Sequence, residues 1–587
     1  MRDVIVIGAG GGGPIVAKEL AARGLDVLLL EAGPRFANSE QDFTHFENDM
    51  NNGILGNFRF GPADRSKPAW LRDLPQNSLI SQVSGVGGTT KHYYANSPRA
   101  MPGAFVDYQG SDAGAYDTAH RFPFGYQELI PYYEWVEHTL PVSTAPMGTK
   151  EEAFFQGASQ LGLPVQTTKD ITGAAFHPQE NAILQPSGQA GKTDDPAKLV
   201  YPNVKGCTFC GHCHQGCIQP LGAPRNLKAM RSTDNSYVPM ALTADLWAGG
   251  KAVSLISDAF AVSINTDQQS VARSVTWRIG SSGELVTEEA QVIVLACGAI
   301  ETPRLWLNSG LPNPNDWVGR GLTDHFLDFV VGVMPFPTRN SKGPSSTVRV
   351  DFPGYGMLEN SILTPALATV ALTLSDAGMA GFYDNGFPGG PQGADGLGRL
   401  IGPALKDVLA NLDRLLAVAI ITDDDVEPQN RVMLSSTLPP DEHGSVPRIE
   451  VQHRNRSART MSNREFLAGH AVNLLRAAGA IGVQRVAFAP LLLQIQSSMR
   501  MGLSDSNSVL DENAEARWVK RLFVADNSAL ANAVGGPQPT LTTQALATRT
   551  AEKIFQLYFG GDPWVQTEAP VSSVDPMVTN AVIERGI

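Results

Sequence analysis

The sequence predicts an α/β fold, α+β overall, in which a Rossmann-like parallel sheet is joined to a second region with a mostly antiparallel sheet. Three features point there. The chain opens on the apolar run Val4–Ile7, enters the glycine cluster Gly8 to Gly13, and continues as an alanine-rich helical stretch to Ala22. A second short apolar run, Asp26-Val-Leu-Leu-Leu30, ends on Glu31. From about residue 330 to 451 the pattern changes to strand-like pieces separated by Gly and Pro turns, such as Arg431–Ser435 and Arg448–Gln452.

The opening reads as strand, glycine turn, helix, strand, because parallel strands covered on both faces show up as short continuous apolar runs. In such a βαβ unit Gly8 permits the tight turn, Gly10 lets a pyrophosphate approach the backbone, and Gly13 lets helix and sheet pack closely. Glu31, 23 residues after Gly8, ends the second strand where a carboxylate can accept hydrogen bonds from a ribose hydroxyl. The unit is therefore read as a dinucleotide site. Val292–Ala296 followed by Cys297-Gly298-Ala299 reads as a further parallel strand of the same sheet, leading into a helix through Trp306. Leu363–Leu372 reads as core strand, with a pocket wall as the other reading. Helices are expected from about Ser457 to Ala478 and near Thr542 to Leu557, and residues 561–587 as a polar surface tail.

Composition narrows the function classes. With 587 residues, 42% hydrophobic and 18% charged, the chain can bury a sizeable core and does not read as disordered. A net charge of −13 argues against a general nucleic-acid binder. The longest apolar candidate for a membrane span, Leu415–Ile421, is far too short, and the immediate passage from Val4–Ile7 into glycines does not read as a secretion signal. Four of five cysteines, Cys207, Cys210, Cys213 and Cys217, lie within eleven residues, and Cys297 stands alone. Such clustering suits a metal or cluster site rather than a disulfide scaffold. The spacing C-x2-C-x2-C-x3-C offers soft thiolates of the kind that hold iron–sulfur groups, with structural zinc as the rival. His212 and His214 flank the run and are read as outer or surface histidines. Cys297 is read as a small core residue.

Taken together, these motifs resemble the glucose–methanol–choline (GMC) family of FAD oxidoreductases along nearly the whole chain. The opening fingerprint ends Glu31-Ala-Gly33-Pro. Gly85-Val-Gly87-Gly88-Thr89-Thr90 is similar to the family's second glycine signature. Pro123, Tyr126, Leu129, Pro131, Tyr132, Tyr133 and Glu137 are similar to its aromatic-rich lid. Gly298–Pro303 and Gly319–His325 follow in order, and Asp526-Asn527-Ser528 with Pro539-Thr540-Leu541-Thr542 matches the segment that closes over the flavin. The resemblance implies an FAD-binding domain of discontinuous segments, 1–330, with a lid near 120–142 and a cysteine loop at 206–218. It also implies a substrate domain over 331–490 and a return to the FAD domain over 491–560. Its cofactor-side candidates are Gly8, Gly10, Gly13, Glu31, Gly87, Gly88, Thr89, His92, Val262, Asp526, Asn527, Pro539 and Thr540. The cysteine loop resembles that of gluconate, glucose and fructose dehydrogenases. That implies a [3Fe–4S] or [4Fe–4S] cluster on Cys207, Cys210, Cys213 and Cys217, a small subunit and a haem-bearing acceptor. His92 stands where pyranose oxidases bond a histidine to the flavin; a noncovalent flavin-side histidine and a structural one are the other readings.

One departure from the family bears on chemistry. The family's catalytic histidine and its His or Asn partner correspond here to Gln494 and to Gln538, 44 residues on. An amide can orient a hydroxyl but has no useful pKa near neutrality, so it cannot hold the released proton. His325 and His92 are the alternatives by family position. The expected function is dehydrogenation of a CH–OH group of a sugar, sugar acid, polyol or more lipophilic alcohol. A redox-neutral flavoenzyme, such as a lyase or decarboxylase, and a non-catalytic electron-transfer subunit are the other readings. Free thiolates favour a cytoplasmic location, with periplasmic co-export alongside a signal-bearing partner as the alternative.

Overall fold

The computed structural model describes residues 1–36, 38–42, 79–80, 82–213, 216–325, 328–362, 364–374, 393–452, 456–486 and 491–587. Two seven-stranded sheets organise it. The first runs from Ala259–Thr266 through Ala272–Ile279, Val286–Leu295, Arg2–Ile7 and Val27–Leu30 to Ser254–Ile256, and Leu522–Val524 also pairs with Val286–Leu295. Around Arg2–Ile7 the pairing is parallel, with Val4 opposite both Val292 and Val27. Val4, Ile5, Val6, Val292, Ile293 and Val294 are all fully buried. That burial on both faces is why the strands read as continuous apolar runs. The helix Gly13–Ala21 follows the first strand, as the alternation in sequence requires.

The second sheet has the order Gly396–Leu397, Gly482–Val486, Asp328–Val333, Leu415–Thr422, Gly356–Ser361, Val348–Phe352, Ala175–Pro178. Every pair is antiparallel except the first. Its pleat sorts residues by parity. Leu416, Val418 and Ile420 share a core with Leu467, Ala471 and Leu475 of the helix Ala458–Ala477 and with Phe154 of the helix Thr149–Gln160. On the opposite face Leu415 and Ala417 pack with Ala368 and Leu372, while Ala419 and Ile421 are left to line a cavity. Covered on both faces, this eight-residue strand, Leu415–Thr422, is apolar without a break over its first seven residues.

Two expectations change. The Leu363–Leu372 run is a helix, Pro365–Leu374; Leu363 itself lies outside the described residues. Proline at the first helical position and a run of Ala and Leu favour a helix over a core strand. Residues 561–587 are more than a polar surface tail. They include the helix Pro576–Arg585, whose Val578 and Val582 are buried with Met240. Trp564 is 1% exposed and lies under the Arg23 guanidinium, 3.6 Å from carbon to ring centroid. The backbone N–H groups of Trp564 and Val565 donate to Glu552 Oε1 at 2.6 and 2.9 Å. The aromatic segment expected as a lid is the helix Tyr126–Thr139, which packs on the helix Thr540–Phe559 through Tyr133 Oη and Thr542 Oγ1 at 2.8 Å. Among the described residues no helix is long and apolar enough to cross a membrane.

Trp564→Ala is expected to destabilise the protein by about 3–5 kcal/mol, the usual range for emptying a buried large aromatic site, seen as a lower thermal unfolding midpoint.

Candidate active site

Strand Arg2–Ile7 delivers the glycine loop to the carboxyl edge of the parallel sheet, where such folds take their ligands. The loop is pinned by contacts that only glycine allows. A Cβ on Gly12 would stand 1.7 Å from the Ala525 carbonyl oxygen, and one on Gly13 would stand 1.9 Å from the Gly8 oxygen. Gly88, at φ +49°, would bring a Cβ to 2.8 Å from the Cα of Gly10. Gly10 itself borders the cavity, and a Cβ there would meet no protein atom within 4 Å. The result is an open backbone cradle at the N-terminus of the helix Gly13–Ala21, an arrangement that favours an anionic group.

Glu31 ties this cradle to its strand. Its Oε2 accepts the Ala9 N–H and its Oε1 the Gly33 N–H, both at 2.8 Å. Burial pushes its carboxyl above the ordinary range, opposed by those two N–H groups. Asp526 plays a similar part opposite. Its Oδ2 accepts from Gly298 N at 3.0 Å and Thr302 Oγ1 at 2.6 Å, and its Oδ1 accepts from Ser528 N at 2.7 Å. It thereby fixes the start of the helix Gly298–Asn308 against the 527–529 turn. Cys297, expected as a small core residue, is instead half-buried and lines the cavity, its Sγ 3.3 Å from the Ile7 carbonyl oxygen.

A cavity of about 250 Å³ lies between the sheets. Of the sequence candidates, Gly8, Gly10, Glu31, Gly88, Thr89 and His92 line it. So do Val262, Asp526, Asn527, Pro539 and Thr540, and both glutamines, Gln494 and Gln538. Gly13 and Gly87 support the loops from behind, the latter by donating its N–H to Ala9 O at 2.8 Å. His325 also stands behind the wall, 1% exposed. Its Nδ1–H donates to the Thr422 carbonyl at 2.9 Å, which leaves Nε2 to accept from Gln496 Nε2 at 3.2 Å. Burial lowers its pKa, so the ring is a neutral link in a buried network and is separated from the cavity. Asp324 holds the Gln494 N–H on Oδ1 at 2.9 Å. Burial pushes Asp324 up to about 8, against the pull of that N–H.

The residue that sequence reading missed is Glu359. The second sheet's register places Phe329, Ala419, Glu359, Arg349 and His177 opposite one another in a row across five strands. Phe329, Ala419 and Glu359 of this row line the cavity. Glu359 Oε2 accepts from Gln538 Nε2 at 2.5 Å, Ser346 Oγ at 2.9 Å and Asn96 Nδ2 at 3.2 Å. The available signal was an acid in a strand flanked by Met357 and Leu358, which only the strand's pleat converts into a cavity residue.

Among the described residues the thiols of the cysteine loop are not gathered into a metal cage. The four thiols carry no disulfide, and Cys207 and Cys213 are buried. Among the described residues no group of three or more Cys, His, Asp or Glu side chains is arranged to hold a metal ion. Burial, and next the neighbouring Cys210 sulfur, push the Cys207 thiol up to about 12. His212 is described beside them; His214 lies outside the described residues.

The chain belongs to the GMC oxidoreductase family, whose N- and C-terminal models match residues 172–327 and 428–547. It is similar to paromamine 6'-oxidase of Streptomyces fradiae, 27% identical over 94% of this chain and 91% of that protein. It is also similar to the fructose dehydrogenase large subunit of Gluconobacter japonicus, 24% identical over 94% of this chain and 97% of that one. Among solved structures it shares its fold with pyridoxine 4-oxidase from Mesorbium loti. The TM-score is 0.56 at 16% identity, covering 96% of this chain and all of that one.

The protein is thus an FAD-dependent oxidoreductase. The residues present fit that cofactor: the cradle at Gly10 is open where a side chain would close it, and Glu31 and Asp526 fix its two sides. Gly88→Ala, which forces the second glycine segment away from Gly10, is expected to yield folded protein with little bound flavin. The ratio of flavin to protein absorbance after desalting measures it.

Proposed function

We propose that the protein is a dehydrogenase that oxidises a CH–OH group of a sugar, sugar acid, polyol or related alcohol. The observation that carries this reading is a pair of buried acceptors on the cavity wall. Neither Gln494 Oε1 nor Gln538 Oε1 has a hydrogen-bond partner among the described residues. Buried amide oxygens left in that state are costly, and hydroxyl donors of an incoming alcohol satisfy them. FAD, when bound, supplies the acceptor for the hydride of the C–H bond.

The chain's own part is to position and to exclude. Gln494 is held by its backbone on Asp324, and Gln538 by its side-chain nitrogen on Glu359. The Gln538 amide therefore presents its oxygen, and the hydroxyl donates to it in a fixed direction. Phe329, Ala419 and Ile421 supply an apolar wall beside the polar pair, which limits water around the reacting carbon. Paromamine and fructose, named in two of the relatives, are hydroxyl-rich and support this substrate class.

For the onward path of electrons we infer an iron–sulfur group on Cys207, Cys210, Cys213 and Cys217, serving a haem or quinone acceptor beside a small partner subunit. The support is four soft thiolates in one short loop that resembles the cysteine loop of the sugar dehydrogenases, although its spacing differs from that of the glucose and fructose enzymes; the sulfurs must draw together to take such a group. Iron and acid-labile sulfide in anaerobically purified protein are the expected result. Stoichiometric zinc without sulfide assigns the loop a structural role, and no metal at all leaves the flavin to pass electrons directly.

Mixing the anaerobic protein with D-glucose, gluconate, sorbitol, paromamine and 1-octanol tests the reading itself. One class is expected to bleach the flavin band. A flavin that none of these or related alcohols reduces overturns it.

A further inference from the structure

We propose that Glu359 is the catalytic base of this enzyme, taking the hydroxyl proton of the substrate in the step for which the family position carries Gln494. The proposal rests on the alcohol-oxidation reading above and supplies what that reading lacks, a group able to hold a proton.

The geometry places the carboxyl correctly. Glu359 sits on the strand Gly356–Ser361 between two strands that constrain it, with Arg349 opposite on one side and Ala419 on the other. It is 3% exposed yet lines the same cavity as both glutamines. Three donors converge on its Oε2, from Gln538, Ser346 and Asn96. With that oxygen engaged, Oε1 is the one left to receive a proton. The same contacts hold Gln538 with its nitrogen toward the carboxylate and its oxygen toward the cavity's hydroxyl, so base and orienting amide are set by one hydrogen bond.

The surrounding charges leave the carboxyl poised near neutrality. Burial pushes it up to about 7, opposed by the hydrogen bonds from Ser346 and Gln538, by the Arg349 guanidinium and by Gln179. Arg349 is itself shared with Asp351 Oδ2 at 3.1 Å, His177 Nε2 at 2.9 Å and Glu180 Oε2 at 3.7 Å. It does not hold Glu359 ionised as a dedicated partner would. Tyr94, facing from the loop after His92, is a buried phenol whose own ionisation burial suppresses. A base serves best when its pKa lies near the working pH.

The balance is simple. The O–H bond breaks and its proton goes to Glu359; the C–H bond breaks and its electron pair leaves as hydride to the oxidised flavin. The carbon–oxygen single bond becomes a carbonyl. Glu359 returns its proton to water before the next turnover, and the reduced flavin gives up two electrons to its acceptor.

The linkage sign follows from the direction of the shift. Against an open-chain glutamate at 4.5, the folded protein favours the protonated carboxyl. The stability this contributes is present below about 4.5 and is lost as pH rises through about 7. The neutral isostere Glu359→Gln lacks that loss.

The experiment uses Glu359→Gln and Glu359→Asp with bound FAD. Each is matched to wild type by flavin content, with an alcohol that bleaches the wild-type flavin as substrate. Anaerobic stopped-flow bleaching in wild type is expected to rise with pH through one ionisation near 7. Glu359→Gln is expected to be about 10²–10⁴-fold slower and to lose that ionisation, while Glu359→Asp retains an ionisation and an intermediate rate. Independently of activity, the melting temperature of wild type relative to Glu359→Gln is expected to fall between pH 5 and pH 8. Wild-type bleaching rates and an unchanged pH profile in Glu359→Gln overturn the base assignment while leaving alcohol oxidation standing. If no alcohol bleaches the wild-type flavin, both readings fall, whatever the melting curves show.

Discussion

The parallel pairing of Arg2–Ile7, Val286–Leu295 and Leu522–Val524 is the constraint on which the rest of the molecule depends. These segments are separated by hundreds of residues, so the sheet closes very long loops before it gains its contacts. Closing them brings together the glycine loop, the turn at Cys297 and the segment around Asp526, none of which is near another in sequence. Gly12 against the Ala525 carbonyl, and Asp526 against Gly298 and Thr302, are the points where the three are locked. The cofactor cradle is a product of that closure. No single stretch of chain contains it.

The second sheet forms the other wall of the cavity. Its strands are buried on both faces, by helix Ala458–Ala477 on one side and by helix Pro365–Leu374 and the cavity on the other. A polar side chain on the cavity face therefore keeps its place only if neighbouring strands and loops satisfy it. Glu359 shows the cost and its remedy: three donors from three parts of the chain surround one carboxyl oxygen. The Gln538 and Asn96 amides and the Glu359 carboxyl then form one hydrogen-bonded unit at the cavity wall. In that unit the orienting and proton-accepting tasks fall on different side chains.

What was legible in the sequence was what is local. The glycine fingerprint, Glu31 and the strand ends encode their conformation within a few tens of residues, and Gly8, Gly10 and Glu31 line the cavity. Glu359 was not legible, because its role comes from parity in a strand whose neighbours come from elsewhere in the chain. Nothing in Met357-Leu358-Glu359 says which face the carboxyl takes. His325 illustrates the converse: its motif marks it as interesting, but the Thr422 carbonyl and Gln496 absorb both ring nitrogens behind the wall. The Pro365–Leu374 segment was misread because Ala, Leu, Thr and Val suit a buried strand as well as a buried helix, and apolar runs alone do not separate the two. The cysteines were read by spacing, which establishes donor type but not the positions of the sulfurs.

The packing of Trp564 over Arg23 bears on how the protein is made. Arg23 lies in the turn between the helix Gly13–Ala21 and the strand Val27–Leu30, and its aromatic cover comes from more than five hundred residues further along the chain. Leu522–Val524 joins the same sheet almost as late. A chain cut before Leu522 would therefore lack both the strand that pairs with Val286–Leu295 and the tryptophan that covers Arg23.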